Sequence, residues 1–356
     1  MADSQQHFNI LTLNDLSGLT MLIQENASLK KYNTFGVEAK ARYFGTFSSE
    51  QELKKLLSDP AFVNEQTMIM GGGSNILFTN DYDGLVLVNQ IKGIEILEES
   101  EEYSIIRVGA GEEWDDLVDY CVKQGWGGLE NLSYIPGSVG ASPIQNIGAY
   151  GSEVKDTIAM VHTLNRQSLL PVLYAKEDCR FDYRDSIFKN HLKDQRIITQ
   201  VVFRLSKKPV FQLNYGNLKE TVQKKGATTL QTIRRSVIEI RKSKLPEPEE
   251  TGSAGSFFKN PVVSHQEYKT LRSRHPGMPS YSLPEKRHKI PAGWLIDQLG
   301  WKGHREGDAG VHEKQALVLV NHGKATGKEI FQLGQKIRKS VRETYQIDLK
   351  YEVNIL

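Results

Sequence analysis

The stretch Tyr134-Ile-Pro-Gly-Ser-Val-Gly-Ala-Ser-Pro-Ile-Gln-Asn-Ile-Gly-Ala-Tyr-Gly151 decides how this chain is read. Gly137, Gly140, Gly148 and Gly151 open backbone conformations closed to other residues and let main chain approach a ligand closely. Pro136 and Pro143 stiffen the path. Gln145 and Asn146 bring donors and acceptors together. The segment suits main chain laid against a polar ligand better than core packing. Sixty residues upstream, Gly71-Gly-Gly-Ser-Asn75 follows the apolar run Thr67-Met-Ile-Met70 and precedes Ile76-Leu-Phe78. A strand that enters such a bare-backbone turn can offer N–H groups to phosphate oxygens.

Around these loops the pattern is α/β from Leu22 to about Leu205. Strands are expected at 41–47, 67–70, 84–88, 94–97, 104–108, 160–164 and 197–205. A capped amphipathic helix is expected over 48–57, with Leu53, Leu56 and Leu57 on one side. A second helix, 112–124, points Trp114, Leu117, Val118 and Cys121 inward. Beyond Lys207-Lys-Pro209 comes the loop Leu213-Asn-Tyr-Gly-Asn-Leu218, then a helical period over 229–243. Leu245-Pro-Glu-Pro-Glu-Glu250 reads as a stiff linker. The last part predicts a helix near 292–299, a strand at 315–321, a helix at 328–345 and a terminal strand at 350–356. The first 20 residues are polar, lack strong periodicity and read as a flexible extension.

Composition narrows the function. The chain has 356 residues, 39% hydrophobic and 25% charged, a globular composition with room for two or three domains. A net charge of +2 gives no reason to expect a nucleic-acid partner. The 9 histidines form no His-x-x-x-His pair and the 2 cysteines no Cys-x-x-Cys pair, so no metal site is expected. Cys121 and Cys179 read as buried free thiols in a reducing compartment. With no run of about 18 apolar residues and no basic-then-apolar leader, the expectation is a cytoplasmic protein without membrane insertion. No G-x-x-x-x-G-K-[ST] run occurs. Gly72–Ser74 does not fit G-x-G-x-x-G, and Trp114 stands where the last glycine of a run starting at Gly109 would be, which disfavours a nicotinamide Rossmann domain.

Several further motifs recur in order: Asn33-Thr-Phe-Gly36, Gly109-Ala-Gly-Glu112, Gly128-Leu-Glu-Asn-Leu132, Cys179-Arg-Phe-Asp-Tyr-Arg-Asp-Ser186, Asn214-Tyr-Gly216, Gly255-Ser-Phe-Phe-Lys-Asn-Pro261, Pro291-Ala-Gly-Trp-Leu-Ile-Asp297, Gln315-Ala-Leu-Val318 and Tyr351-Glu-Val353. With the two glycine loops, this series resembles the UDP-N-acetylenolpyruvoylglucosamine reductase (MurB) family from Tyr32 onward. The resemblance implies an α+β protein. Its FAD-binding α/β half would be of the vanillyl-alcohol-oxidase type and its C-terminal α+β domain would bind substrate. The implied divisions are an extension over 1–20, the FAD domain over 21–208, a tyrosine-loop connection over 209–227 and the substrate domain over 228–356. The tyrosine loop resembles that of the type I branch, where it closes over substrate. The implied activity is NADPH-dependent reduction of UDP-N-acetylglucosamine enolpyruvate to UDP-N-acetylmuramate, in peptidoglycan precursor synthesis. A monomer is the default.

The resemblance carries over residue by residue. Arg184 would stabilise the charge that develops beside the substrate carboxylate; its other reading is an arginine paired with Asp182 or Asp185. Ser256 would give the proton, or else merely cap a turn. Glu352 would lie in the site, or else be an exposed strand residue. Substrate binding would fall to Tyr215, Arg241, Lys244, Asn260 and Gln315; the tyrosine could equally pack on a sheet, and the two amides could simply tie down loops. Tight, non-covalent FAD would be held by Gly71, Gly72, Gly73, Ser74 and Asn75. In the long loop it would meet Ile135, Pro136, Gly137, Ser138, Gly140, Ala141, Gln145, Asn146, Gly148, Ala149, Tyr150 and Gly151. Another flavin oxidoreductase of the same fold, or a flavin-binding regulatory module without catalysis, are the competing readings.

Overall fold

The structure is a computed structural model that describes residues 10–14, 20–247 and 250–356. It divides into two compact units: residues 1–27, 41–72 and 83–243 form the first, and 28–40, 73–82 and 244–356 the second. The sequence expectation put the boundary at 227/228. The helix over Leu230–Lys244 sits with the first unit up to Ser243 because Ile233, Val237 and Ile240 pack on Leu218 and Val222.

The first unit carries two sheets. One orders its strands as Ile10–Asn14, Thr20–Ser28, Lys40–Phe47, Tyr82–Asn89 and Thr67–Met70, with the last two parallel. Part of the expected N-terminal extension is therefore a strand: Ile10–Asn14 pairs antiparallel with Thr20–Gln24. Residues 1–9 and 15–19 lie outside the described residues, as do residues 248 and 249 of the expected linker. The other sheet orders Pro171–Ala175, Ile158–Asn165, Arg196–Ser206, Tyr103–Gly109 and Ile94–Glu99, all antiparallel. Its edge strand Ile94–Glu99 carries three glutamates and is exposed along most of its length, which discourages edge pairing.

Helix α1 (Glu50–Ser58) is capped by the Ser49 hydroxyl, which accepts from the Glu52 N–H at 3.1 Å. It buries Leu53 and Leu56 against Phe47, Leu85 and Leu87. Helix α2 (Trp114–Lys123) buries Trp114, Leu117, Val118 and Cys121 against Ile106, Val108, Val201 and Phe203, as its spacing predicts. Two more helices, α3 (Leu218–Gln223) and α4 (Leu230–Lys244), complete this unit.

The second unit holds a four-stranded sheet ordered Gly252–Ser256, Val318–Asn321, Ala309–Val311 and Arg305–Glu306. A three-stranded sheet joins Val262–Ser264, Arg287–Lys289 and Tyr281–Leu283. Helices α5 (His265–Arg274), α6 (Ala292–Gln298) and α7 (Gly327–Tyr345) pack with them. Phe257 anchors the core, edge-on to Phe35, Phe258 and Tyr351. The terminal strand is shorter than its alternation predicts. Only Asn354–Ile355 is a strand, paired in parallel with Ile76–Leu77, and Tyr351 makes an isolated bridge to Phe258.

Helix α7 begins with a capping box between Thr326 and Glu329, and its first residue is Gly327. A Cβ there would stand 1.7 Å from the Phe78 carbonyl oxygen. Alanine favours a helix over glycine by about 1 kcal/mol. The clash reverses that preference, so Gly327→Ala should destabilise the protein by about 1–3 kcal/mol in denaturant titration. Equal or higher stability would show that the contact is soft.

Candidate active site

In the first unit, the strand Thr67–Met70 delivers Gly71 and Gly72 directly against the long loop. A Cβ on Gly71 would lie 2.0 Å from Ser138 Oγ, and one on Gly72 would lie 3.1 Å from Gly137 Cα. Glycine at both positions permits this approach without displacing Ser138 or Gly137. No protein acceptor is recorded, among the described residues, for the amides of Gly71, Gly72, Gly137 and Ser138. Four amides without protein acceptors, on two loops in contact, form the kind of concavity that takes an anion.

The long loop is stitched to helix α2. Trp114 N–H donates to Gly137 O at 2.9 Å, Val139 N–H to Glu112 O at 2.8 Å, and Trp114 Nε1 to Leu132 O at 2.9 Å. Gly140 lies so close to Ala110 that a Cβ would approach the Ala110 methyl at 2.6 Å, and its N–H donates to Ala110 O. This explains the Gly109-Ala-Gly-Glu112 motif: it is the seat of the loop. Asn146 is wholly buried. Its amide donates to Glu153 and to Asp182 O, and its oxygen accepts from Lys155 N–H. That side chain braces the loop, so a cofactor contact at this position would have to come from the backbone.

Arg184 stands in a tight turn closed by reciprocal Asp182–Asp185 backbone bonds of 3.1 Å, with φ at 54°. Its Nη2 donates to Gly148 O at 2.7 Å, which directs the guanidinium to the long loop. Arg241, on α4, donates through Nε to Tyr134 O at 2.9 Å. Burial lowers the pKa of Arg241. Tyr150 and Asp115 oppose that shift, and the like charge of Arg184 adds to it. Burial in turn raises the Tyr150 hydroxyl, with Arg241 opposing. Tyr215 packs its ring edge-on to Tyr150 at 6.0 Å and remains 43% exposed. Arg184, Arg241, Tyr150 and Tyr215 thus gather around Gly148–Gly151: two cations and two phenols beside an amide-lined turn. Lys244 is the exposed last residue of α4.

In the second unit, the turn continues through Gly73, whose φ is 61° and whose Cβ would meet Tyr32 O at 1.9 Å. Gly73 O accepts from Thr34 N–H, and Asn33 ties its loop through Leu29 O, Val37 O and Val37 N–H. The Asn33-Thr-Phe-Gly36 motif therefore serves the glycine turn. Ser256 pairs with Val318, and among the described residues its hydroxyl makes no hydrogen bond. The adjacent Phe257 donates its N–H to Leu317 O and accepts Glu352 N–H, both at 2.9 Å. Asn75 Nδ2 donates to Glu352 O at 3.2 Å, so Ser256, Gln315, Asn75 and Glu352 lie on backbone segments bonded to one another. Gln315 accepts from Leu317 N–H through its side chain, and Asn260 accepts from Ala292 N–H at the start of α6. Those bonds give both amides a loop-holding role.

Comparison with known proteins identifies the family. Residues 41–168 match the family described as FAD binding domain. Residues 247–356 match the one described as UDP-N-acetylenolpyruvoylglucosamine reductase, C-terminal domain. A UDP-N-acetylenolpyruvoylglucosamine reductase of Bacteroides fragilis is 47% identical over 334 residues, 94% of this chain and 100% of that protein. The chain belongs to the UDP-N-acetylenolpyruvoylglucosamine reductase family. Relatives of the same name from Flavobacterium johnsoniae and Chromobacterium violaceum are 46% and 44% identical, covering 94% and 95% of this chain and 100% of their own length. The crystal structure of the reductase from Thermus caldophilus superposes with a TM-score of 0.65 at 25% identity, over 98% of this chain and 99% of that one. The fold is accordingly α+β, an FAD-binding domain joined to the family's C-terminal domain.

The residues present suit FAD. Its two phosphates match amides at a glycine turn that have no protein acceptor among the described residues. A thiol link is disfavoured: Cys121 and Cys179 are buried, and burial pushes both thiols up to about 12. Sequence reasoning missed Asp115, Tyr134 and Arg234 as members of this site. Asp115 and Asp119 stand one turn apart on α2, but their arginine lies more than a hundred residues away, so spacing gives no signal.

Two outcomes follow. Gly72→Val should wedge the glycine turn off Gly137 and weaken FAD binding at least about tenfold, read by titrating apoprotein; parental affinity would exclude the turn from the cofactor site. Ellman's reagent at pH 8 should find no reactive thiol in the native protein and two after denaturation. Rapid native labelling would contradict the burial.

Proposed function

We propose that this chain reduces UDP-N-acetylglucosamine enolpyruvate to UDP-N-acetylmuramate with NADPH as the reductant, a step in peptidoglycan precursor biosynthesis, and that it works as a cytoplasmic monomer. The end-to-end likeness to the family's reductases carries this reading. Among the described residues no helix is long and apolar enough to cross a membrane. Bound FAD would take a hydride from NADPH and pass it to the substrate.

The protein's part is charge and proton management. Hydride addition at the vinyl methylene carbon builds negative charge on the neighbouring carbon and its carboxylate. Arg184 is the residue we assign to that carboxylate. A guanidinium stays charged and binds carboxylate bidentately, and fixed charge where charge develops lowers the barrier. Its bond to Gly148 O pre-aims it, so little reorganisation remains. Ser256 gives the proton that completes the reduction; among the described residues its hydroxyl is not committed to another group. A serine is a weak acid in water, but its acceptor here is a far stronger base, and a positioned acid contributes roughly 10²–10⁴ in rate. Glu352 belongs to the site, where an anion beside developing negative charge must either be protonated or orient a cation or water.

Substrate diphosphate falls to Arg241, Lys244 and Tyr215, with Tyr215 closing as a lid in the manner of the type I branch. Its exposure and edge-on packing on Tyr150 leave it room to swing. Asn260 and Gln315 contribute through the loops they hold.

The test is anaerobic NADPH oxidation by purified protein, with and without the enolpyruvyl sugar nucleotide. We expect consumption that depends on the sugar nucleotide and matches it mole for mole. Ser256→Ala should keep rapid flavin reduction by NADPH and lose turnover by roughly 10²-fold or more. A yellow protein that NADPH reduces but that ignores this substrate would discard the reading, and a Ser256→Ala variant with parental turnover would remove Ser256 as the acid.

A further inference from the structure

Helix α2 and helix α4 meet the start of the long loop through one peptide unit. Tyr134 N–H donates to Asp115 Oδ1 at 2.5 Å, and Tyr134 O accepts from Arg241 Nε at 2.9 Å. The amide fixes the peptide plane before Tyr134 and the carbonyl fixes the plane after it. Both dihedrals of this residue are therefore set from outside, and φ stands at 61°, in the left-handed region that tyrosine rarely adopts. Lys242 Nζ lies 5.1 Å from the Tyr134 ring centroid and adds a third hold from α4.

Asp115 is itself immobilised. Arg234 on α4 binds it bidentately, Nη1 to Oδ1 at 2.6 Å and Nη2 to Oδ2 at 2.9 Å, while Arg234 Nε reaches Asp119 Oδ1 at 3.2 Å. The Arg234 side chain is 12% exposed, so this pair is shielded more than a surface ion pair. Asp115 also stands in the first turn of α2, where the helix dipole favours a carboxylate. The residue before it, Trp114, donates its N–H to Gly137 O. The first turn of α2 thus grips the loop at Tyr134 and again at Gly137, with only Ile135 and Pro136 between, and the next amides are the unengaged pair of Gly137 and Ser138 that face Gly71 and Gly72.

We infer that Asp115, clamped by Arg234, is a positioning residue for the cofactor: through the Tyr134 peptide it sets the Gly137–Ser138 backbone that receives the FAD diphosphate. The inference rests on the cofactor reading of the two glycine loops. Asp115 touches neither cofactor nor substrate in this role.

The experiment titrates apoprotein with FAD for the parent and for Asp115→Ala, Asp115→Asn and Arg234→Met. It reads flavin fluorescence, the visible band of the bound flavin and the melting temperature of the apoprotein. Asp115→Ala should bind FAD at least about tenfold more weakly, with a shifted band, since one charged-group hydrogen bond is lost and a strained peptide released. Asp115→Asn keeps an acceptor for Tyr134 N–H and should recover most of that loss, which a purely structural role would not produce. Arg234→Met should fall between. A folded Asp115→Ala with parental affinity and band overturns the inference. If Asp115→Ala does not fold, Arg234→Met decides: weakened binding with a shifted band supports the clamp, and parental binding overturns it. A parent that takes no FAD would overturn the cofactor reading and this inference with it, whereas parental binding with indifferent variants overturns this inference alone.

Discussion

The contact of two stretches of bare backbone, Gly71–Gly72 against Gly137–Ser138, is the constraint on which the rest of the first unit depends. One stretch is delivered by the parallel pair of Thr67–Met70 with Tyr82–Asn89 and the other by the first turn of α2. At the point of meeting, a Cβ on Gly71 would crowd Ser138 and one on Gly72 would crowd Gly137. The cost of such an arrangement lies in its amides. A desolvated donor left without a partner costs about 1–3 kcal/mol, so a turn that spends none of its N–H groups on its own chain needs water or an anion in front of them. A nest of this kind is a poor way to close a loop and a good way to hold phosphate.

Much of the fold was legible because its elements obey simple periods. The faces of α1 and α2 follow from Leu53 and Leu56, and from Trp114, Leu117 and Cys121, all at helical spacing. The strands near 41–47, 67–70, 84–88, 94–97, 104–108, 160–164 and 197–205 follow from short apolar runs between turn residues, whereas Pro171–Ala175 does not. Two places escaped for a physical reason. The alternation over 350–356 promises one strand, but its backbone changes partner: residues 350–352 bond to 257–259 and only Asn354–Ile355 forms a ladder, with Ile76–Leu77. Ile10–Asn14 lacks a period of its own and becomes a strand by pairing with its neighbour. Within the site, the glycine loops could be read from composition, and the catalytic side chains proposed above rest on family likeness. The braces could not: Asp115 with Arg234, and Asn33 beneath Gly73, are polar residues that look like solvated ones until the chain brings their partners to them.

Backbone strain is also present in this region, as it is at several turns elsewhere. Tyr134, Asn146, Tyr150 and Arg184 all hold positive φ, between 44° and 61°, and all belong to the long loop or to the turn that touches it. A left-handed non-glycine residue costs of order 1 kcal/mol, and asparagine alone among these four adopts that region with any ease. Strain of this kind persists only where surroundings over-determine the conformation. Here each strained residue has its fixing contact: Asp115 and Arg241 at Tyr134, Glu153 and Asp182 at Asn146, Asn131 at the Tyr150 carbonyl, and Gly148 O at Arg184. Relaxing any one of them would turn a peptide plane or swing the Arg184 guanidinium away from Gly148. The strain is therefore the form that preorganisation takes here. The folded unit bears the distortion in advance, so the charges and amides already stand where an anionic ligand requires them and need not be gathered when it arrives.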